Sequence, residues 1–199
     1  MRKLSIAVTL AAVAAVSVGA QQSQTPAPTK PASSMAPANP ITHSMNGYYG
    51  AVKGWVTMAA EQMPATDYAF KPATMPASDH KDIRTFGEIV GHVAFANFLF
   101  CGIASGMKTP ADMTGVDKWT AKADLQKGLA ASFEFCDKAW AATTDRNGAT
   151  ATQLPEGMGT STRLATLALN TSHDAEHYGN IVTYFRAKGM VPPSSQPGK

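Results

Sequence analysis

Residues 169–185 read LNTSHDAEHYGNIVTYF, and this stretch decides how the chain is expected to fold. Steps of four from Leu169 pass through His173, His177, Ile181 and Phe185. Residues four apart lie one above another on a helix, so these side chains share a face, and apart from the histidines every member is apolar. That face is expected to be core. Two imidazoles in a core face are costly unless their nitrogens find partners, and a metal ion satisfies both at once.

The helix carrying this row is expected over about 161–188, with Gly189 as its stop and Pro192-Pro193 beyond. Three further helical segments lie upstream. The first, about 41–63, sets Tyr48, Val52, Trp55, Ala59 and Met63 at steps of three and four and stops before Pro64. Pro64, Pro72 and Pro76 then make 64–84 an irregular connection. The second opens on Thr85-Phe86-Gly87-Glu88, a candidate capping box, and runs to about Ser105 through Phe86, Ile89, Val93, Ala96, Phe100 and Ile103. Gly106 and Pro110 close it. The third, about 117–143, aligns Leu125, Leu129, Phe133, Cys136 and Trp140, and Asn147-Gly148 marks its end. No stretch shows the sustained alternation of strands, and no internal repeat is present. The class is therefore all-α, and four amphipathic helices in one domain pack most simply as a four-helix bundle.

His92 stands on an equally apolar row of the second helix, Ile89, His92, Ala96, Leu99 and Ile103. It is the natural third ligand, which makes His92, His173 and His177 a candidate site for a divalent ion, since bundle cores build sites from facing helices. Zinc is the default, with nickel, iron, cobalt or manganese as the other options. Three neutral imidazoles leave a coordination position open to water or a substrate atom, as in catalytic zinc sites. His43 and His80 are expected at the surface. Asp174 stands where the H-E-x-x-H protease motif has glutamate, and its shorter carboxylate is a poor replacement. Asp174 and Glu176 are expected either to orient the ligands or to face solvent. There is no nucleophile elbow and no phosphate loop, so no catalytic residue and no organic cofactor site is assigned.

The 199 residues suit one domain with appendages. Met1-Arg2-Lys3, an apolar run from Leu4 to Val18 and Gly19-Ala20 match a signal peptide over 1–20, and the run is short for a membrane span. Residues 21–40, nearly all Gln, Ser, Thr, Ala and Pro, read as a disordered linker. The domain follows over 41–193, with 194–199 as a flexible tail. Without Arg2 and Lys3 the formal charge falls from 17 − 14 = +3 to 15 − 14 = +1, and no basic stripe exists, so nucleic acid is not expected as a partner. A small-molecule substrate is the expected partner, and the oligomeric state, including a homodimer, is left open. Export to a periplasmic or secreted location makes a Cys101–Cys136 disulfide the expected fate of the two cysteines, against two buried thiols.

Taken together, Tyr68-Ala69-Phe70-Lys71-Pro72, Arg84-Thr85-Phe86-Gly87-Glu88 leading to Gly91-His92-Val93, the 173–181 element and Arg186-Ala187-Lys188-Gly189 resemble the DinB-like superfamily of bacterial four-helix metalloproteins over about 41–193. The resemblance implies a closed bundle with His92, His173 and His177 as the metal triad. It also implies an activity among those of thiol-dependent transferases and isomerases, or none. Three readings follow: a metal-dependent transferase-like or hydrolase-like enzyme, a non-catalytic metal-binding or stress-related bundle, and a partner-binding helical domain without metal. A cavity beside the histidines would mark the first, and an ordinary hydrogen-bond partner for each histidine the third.

Overall fold

The computed structural model describes residues 37–72 and 83–197. The expected signal peptide, most of the linker and His80 lie outside the described residues. Among those described, the protein is mostly helical, with α1 (Pro40–Gln62), α2 (Phe86–Ser105), α3 (Lys122–Ala141) and α4 (Arg163–Ala187), several single 3-10 turns, and two short strands, β1 (Ala151–Gln153) and β2 (Thr160–Thr162).

Helix α2 lies at the centre, packed against both α3 and α4, while α1 packs against α4 and α3. By length and composition it is apolar enough to cross a membrane, but 67% of its most apolar stretch is buried in the protein, as suits a core helix. Phe86, Val90 and Val93 of α2 join Leu125, Leu129 and Phe133 of α3, Leu167, Ile181 and Phe185 of α4, and Val52 and Val56 of α1 in one cluster. Each such side chain contributes about 1.5–3 kcal/mol through burial. Its start is fixed as its sequence suggests. Thr85 Oγ1 accepts from Glu88 N and Glu88 Oε2 accepts from Thr85 N, a complete capping box. The next amides are taken by the preceding connection, Phe86 N donating to Phe70 O and Gly87 N to Tyr68 O. Gly106, at φ 77°, ends the helix in the left-handed conformation.

Cys101 and Cys136 are joined, with Cα atoms 5.2 Å apart, linking α2 to α3. Helix α1 is tied to α3 by Tyr49 and Lys53, whose side chains meet Asp137 at 3.0 and 2.6 Å. Its first amides are capped from a distance, Ile41 N and Thr42 N donating to Asp145.

Four details depart from the sequence expectations. The buried face of α1 runs through Tyr49, Val52, Val56 and Ala60, whereas Tyr48 is exposed. Adjacent tyrosines leave the phase of a helix undecided by one position. Helix α3 begins at Lys122 because Val116–Lys118 form a separate 3-10 turn, and the side chains of Val116 and Trp119 occupy the space that Gly128 leaves on α3. The class is not purely α: β1 and β2 pair antiparallel, Thr152 opposite Ser161. Strands of three residues are too short to show alternation. Finally, residues 193–195 form a 3-10 turn in which Ser194 bonds Tyr178, and Gln196 bonds Gln62. The segment from 194, expected as a free tail, is thus held to the body through residue 196.

Candidate metal centre

Helices α2 and α4 run antiparallel and are pinned at both ends. Arg163 Nε, at the start of α4, donates to Ala104 O near the end of α2 at 2.8 Å. At the other end the Tyr184 hydroxyl donates to Arg84 O, just before α2. The hairpin helps to set this register, since its last residue, Thr162, is the N-cap of α4. His92 of α2 and His173 and His177 of α4 thereby meet midway along the pair.

The three rings turn the same nitrogen toward one point. His173 Nε2 lies 3.2 Å from His92 Nε2 and 3.1 Å from His177 Nε2. All three ligand atoms lie within 4.8 Å of one another. Two nitrogens each about 2.0–2.1 Å from a tetrahedral zinc ion are separated by about 3.3 Å, so the two contacts of His173 match edges of such a polyhedron.

Hydrogen bonds among the imidazoles do not satisfy the cluster. A neutral ring carries one N–H, and its bare nitrogen offers one lone pair in the ring plane. His173 Nε2 therefore serves only one of its two neighbours well. His173 Nδ1 is buried without any partner. Asp174 Oδ1 lies 3.9 Å from it, itself buried and unpartnered. A cation between the three Nε2 atoms would take three lone pairs at once and put the remaining proton of His173 on Nδ1, facing Asp174. On His177, Nδ1 lies 3.4 Å from the Asn180 side-chain amide, which with its oxygen inward would accept the Nδ1 proton and leave Nε2 bare.

The expected face of α4 is buried at His177, Ile181 and Phe185, but the buried face is wider than that row. Its centre runs through Leu167, Asn170, Thr171, Asp174, Tyr178 and Ile181, all buried, and Leu169 and His173 are half-buried at its border. The polar members were hidden from a hydropathy pattern. They bond one another: Asn170 donates to Asn97 Oδ1 at 2.7 Å, and Asn97 donates to Ser132 Oγ at 3.1 Å. Asp174 is fully buried in line with this chain, 3.5 Å from the Asn170 amide nitrogen, while Glu176 and His43 are exposed. Of the two acidic residues, only Asp174 is thus placed to orient a ligand.

Burial, joined by the charges of Arg84 and His173, lowers the His92 pKa to about 4. Burial, with His173 and His92, does the same for His177. Both rings are therefore neutral, the ligand form, near pH 7. Burial also raises Asp174 to about 6, against the pull of His173. The signs oppose. Between pH 6.5 and 4 the unfolded chain protonates the two histidines first, so their contribution to stability is lost as pH falls. Over about pH 6 to 3.8 the folded protein protonates Asp174 first, which adds stability. Two imidazoles outweigh one carboxyl, with solvent screening reducing each effect. The urea midpoint of the metal-free protein is expected to fall from pH 7 to pH 4.5, and a midpoint that rises would contradict the assigned shifts.

A cavity of about 340 Å³ opens beside His177, lined also by Arg84, Ile89, Asn180, Thr183 and Tyr184. Sequence reasoning missed Arg84 as a site residue, because a single arginine before a capping box carries no signal of its own. The arrangement is that of a three-nitrogen donor set at the edge of a core, with a cavity beside one of its three rings.

Comparison with known proteins follows the same lines. The DinB superfamily model matches residues 55–181. No curated protein matches. Among solved structures, a DinB-like protein from Bacillus subtilis is 18% identical, with a TM-score of 0.57, covering 77% of this chain and 99% of its own. The mycothiol-dependent maleylpyruvate isomerase is 13% identical, with a TM-score of 0.53 and 78% of each chain covered. At these identities the likeness is one of fold.

Proposed function

Starting from the fact that the chain belongs to the DinB superfamily, we propose that it is an exported metalloprotein whose four helices form the family's bundle. It holds one divalent ion, zinc by default, on His92, His173 and His177, with the remaining coordination position open to the neighbouring cavity. The observation that carries this reading is the convergence of three Nε2 atoms, that of His173 at 3.1–3.2 Å from each of the other two and all within 4.8 Å, around a ring whose Nδ1 has no hydrogen-bond partner. The cavity beside His177 favours an enzyme over a closed metal-binding bundle. The metal-free reading is the least supported, because it requires an ordinary partner for every imidazole.

When bound, the ion would supply Lewis acidity at its open position. This chain's own residues supply the rest. His92 and His177 stay neutral by burial and present Nε2, and Asp174, with Oδ1 3.9 Å from His173 Nδ1, stands where a small shift of the ring would let it accept that proton. Apolar packing by Ile89 limits water on one side, and Arg84, Asn180 and Thr183 offer polar groups to a ligand on the other. The reaction class this supports is hydrolysis or group transfer on a small molecule. Export is supported by the Cys101–Cys136 link, since disulfides persist in oxidising compartments. A reduced thiol co-substrate would be scarce there, which places hydrolysis ahead of thiol transfer.

Azide tests the open position. Added to cobalt-loaded protein, it is expected to change the visible spectrum in a saturable way. A spectrum that stays constant at high azide would show a site closed by the protein, and the non-catalytic bundle would then be the better reading.

A further inference from the structure

The cavity beside His177 contains one cation among its lining side chains, Arg84, and that cation has no ion-pair partner among the described residues. The residue is exposed, and it is its backbone that is anchored, not its charge. The backbone oxygen of Arg84 accepts from the Tyr184 hydroxyl, which anchors the residue to α4. The nearby Glu88 carboxylate is turned to Thr85 N at 2.6 Å as part of the capping box. The first amides of α2 are likewise taken, by Thr85 Oγ1, Phe70 O and Tyr68 O, so the positive character of this end of the cavity belongs to the guanidinium itself. Its charge reaches His92, and more weakly His177.

The same cavity is lined by His177, by Asn180 and Thr183, which are one helical turn apart on the exposed side of α4, and by apolar Ile83 and Ile89. A guanidinium without an ion-pair partner among the described residues, two neutral hydrogen-bonding groups and an apolar wall form a recognition set for a carboxylate carried on a short aliphatic stem. We propose that the cavity binds a small organic acid, its carboxylate held by Arg84 and its reactive end directed to the open side of the His92–His173–His177 site. This rests on the metal reading given above. It adds a substrate class, and makes Arg84 the residue that selects it.

The test uses the full chain loaded with cobalt and two probes, succinic monohydroxamate and its uncharged amide analogue. Both carry the same metal-binding head and differ only in the distal carboxylate. Binding is followed in the visible spectrum, and metal content is measured alongside. The acid is expected to bind about tenfold more tightly than the amide, a difference ordinary for one charge-assisted contact. In Arg84→Gln the preference should vanish with metal content unchanged, and Arg84→Lys should keep part of it. Equal affinity for the two probes, or a preference that survives in Arg84→Gln, overturns the carboxylate assignment and leaves the metal site standing. Failure of the wild-type chain to take up the ion overturns the metal reading and this inference with it.

Discussion

Zinc is expected to raise the melting temperature of the wild-type protein by about 5–11 °C at a hundredfold excess over its dissociation constant, and to leave His173→Ala unmoved. The size follows from ligand linkage. A ligand at that excess stabilises the native state by about 2.7 kcal/mol, and each kcal/mol shifts the midpoint by about 2–4 °C in a domain of this size. His173 is the decisive position because its Nε2 touches both other ligand nitrogens, so its loss leaves His92 and His177 without the atom that joins them. The side chain is 22% exposed and sits at the edge of the core, so the variant should fold. Differential scanning fluorimetry with and without zinc reads the result. A shift of the same size in the variant would place the ion elsewhere.

Removing the Cys101–Cys136 link is expected to be the largest purely structural loss. The bond closes a loop with a sequence separation of 35 residues. By loop-closure entropy such a bond is worth about 3–4 kcal/mol. The double variant Cys101→Ser, Cys136→Ser should therefore melt roughly 10 °C lower than the oxidised wild type. Both positions are fully buried beside Asn97 and Asn170, and the added hydroxyls would deepen the loss. Comparing it with Cys101→Ala, Cys136→Ala separates the two contributions. Two titratable thiols in unreduced wild-type protein would contradict the link.

Much of the site was legible in the sequence because it rests on helix periodicity. The i, i+4 spacing of His173 and His177 and the apolar row around His92 bring three rings to one face of each helix, and antiparallel packing of those helices brings the faces together. The capping box of Thr85 and Glu88 and the glycine stop at Gly106 were legible for the same reason, since both are local. The features that escaped are those that depend on tertiary context. Asn97, Asn170 and Asp174 are polar residues buried in the core, where Asn170 donates to both of the others across α2 and α4. The hairpin of β1 and β2 is too short to have a pattern. Arg84 acquires its meaning from α4, one hundred residues later in the chain, through the Tyr184 hydroxyl.

His92, His173 and His177 are expected to hold one divalent ion. Elemental analysis of the protein purified from its own compartment, without added metal or chelator, tests it most directly. One equivalent of a divalent transition metal per chain is expected, falling sharply in each of His92→Ala, His173→Ala and His177→Ala. A wild-type protein free of metal, or a stoichiometry unchanged in all three variants, would contradict it.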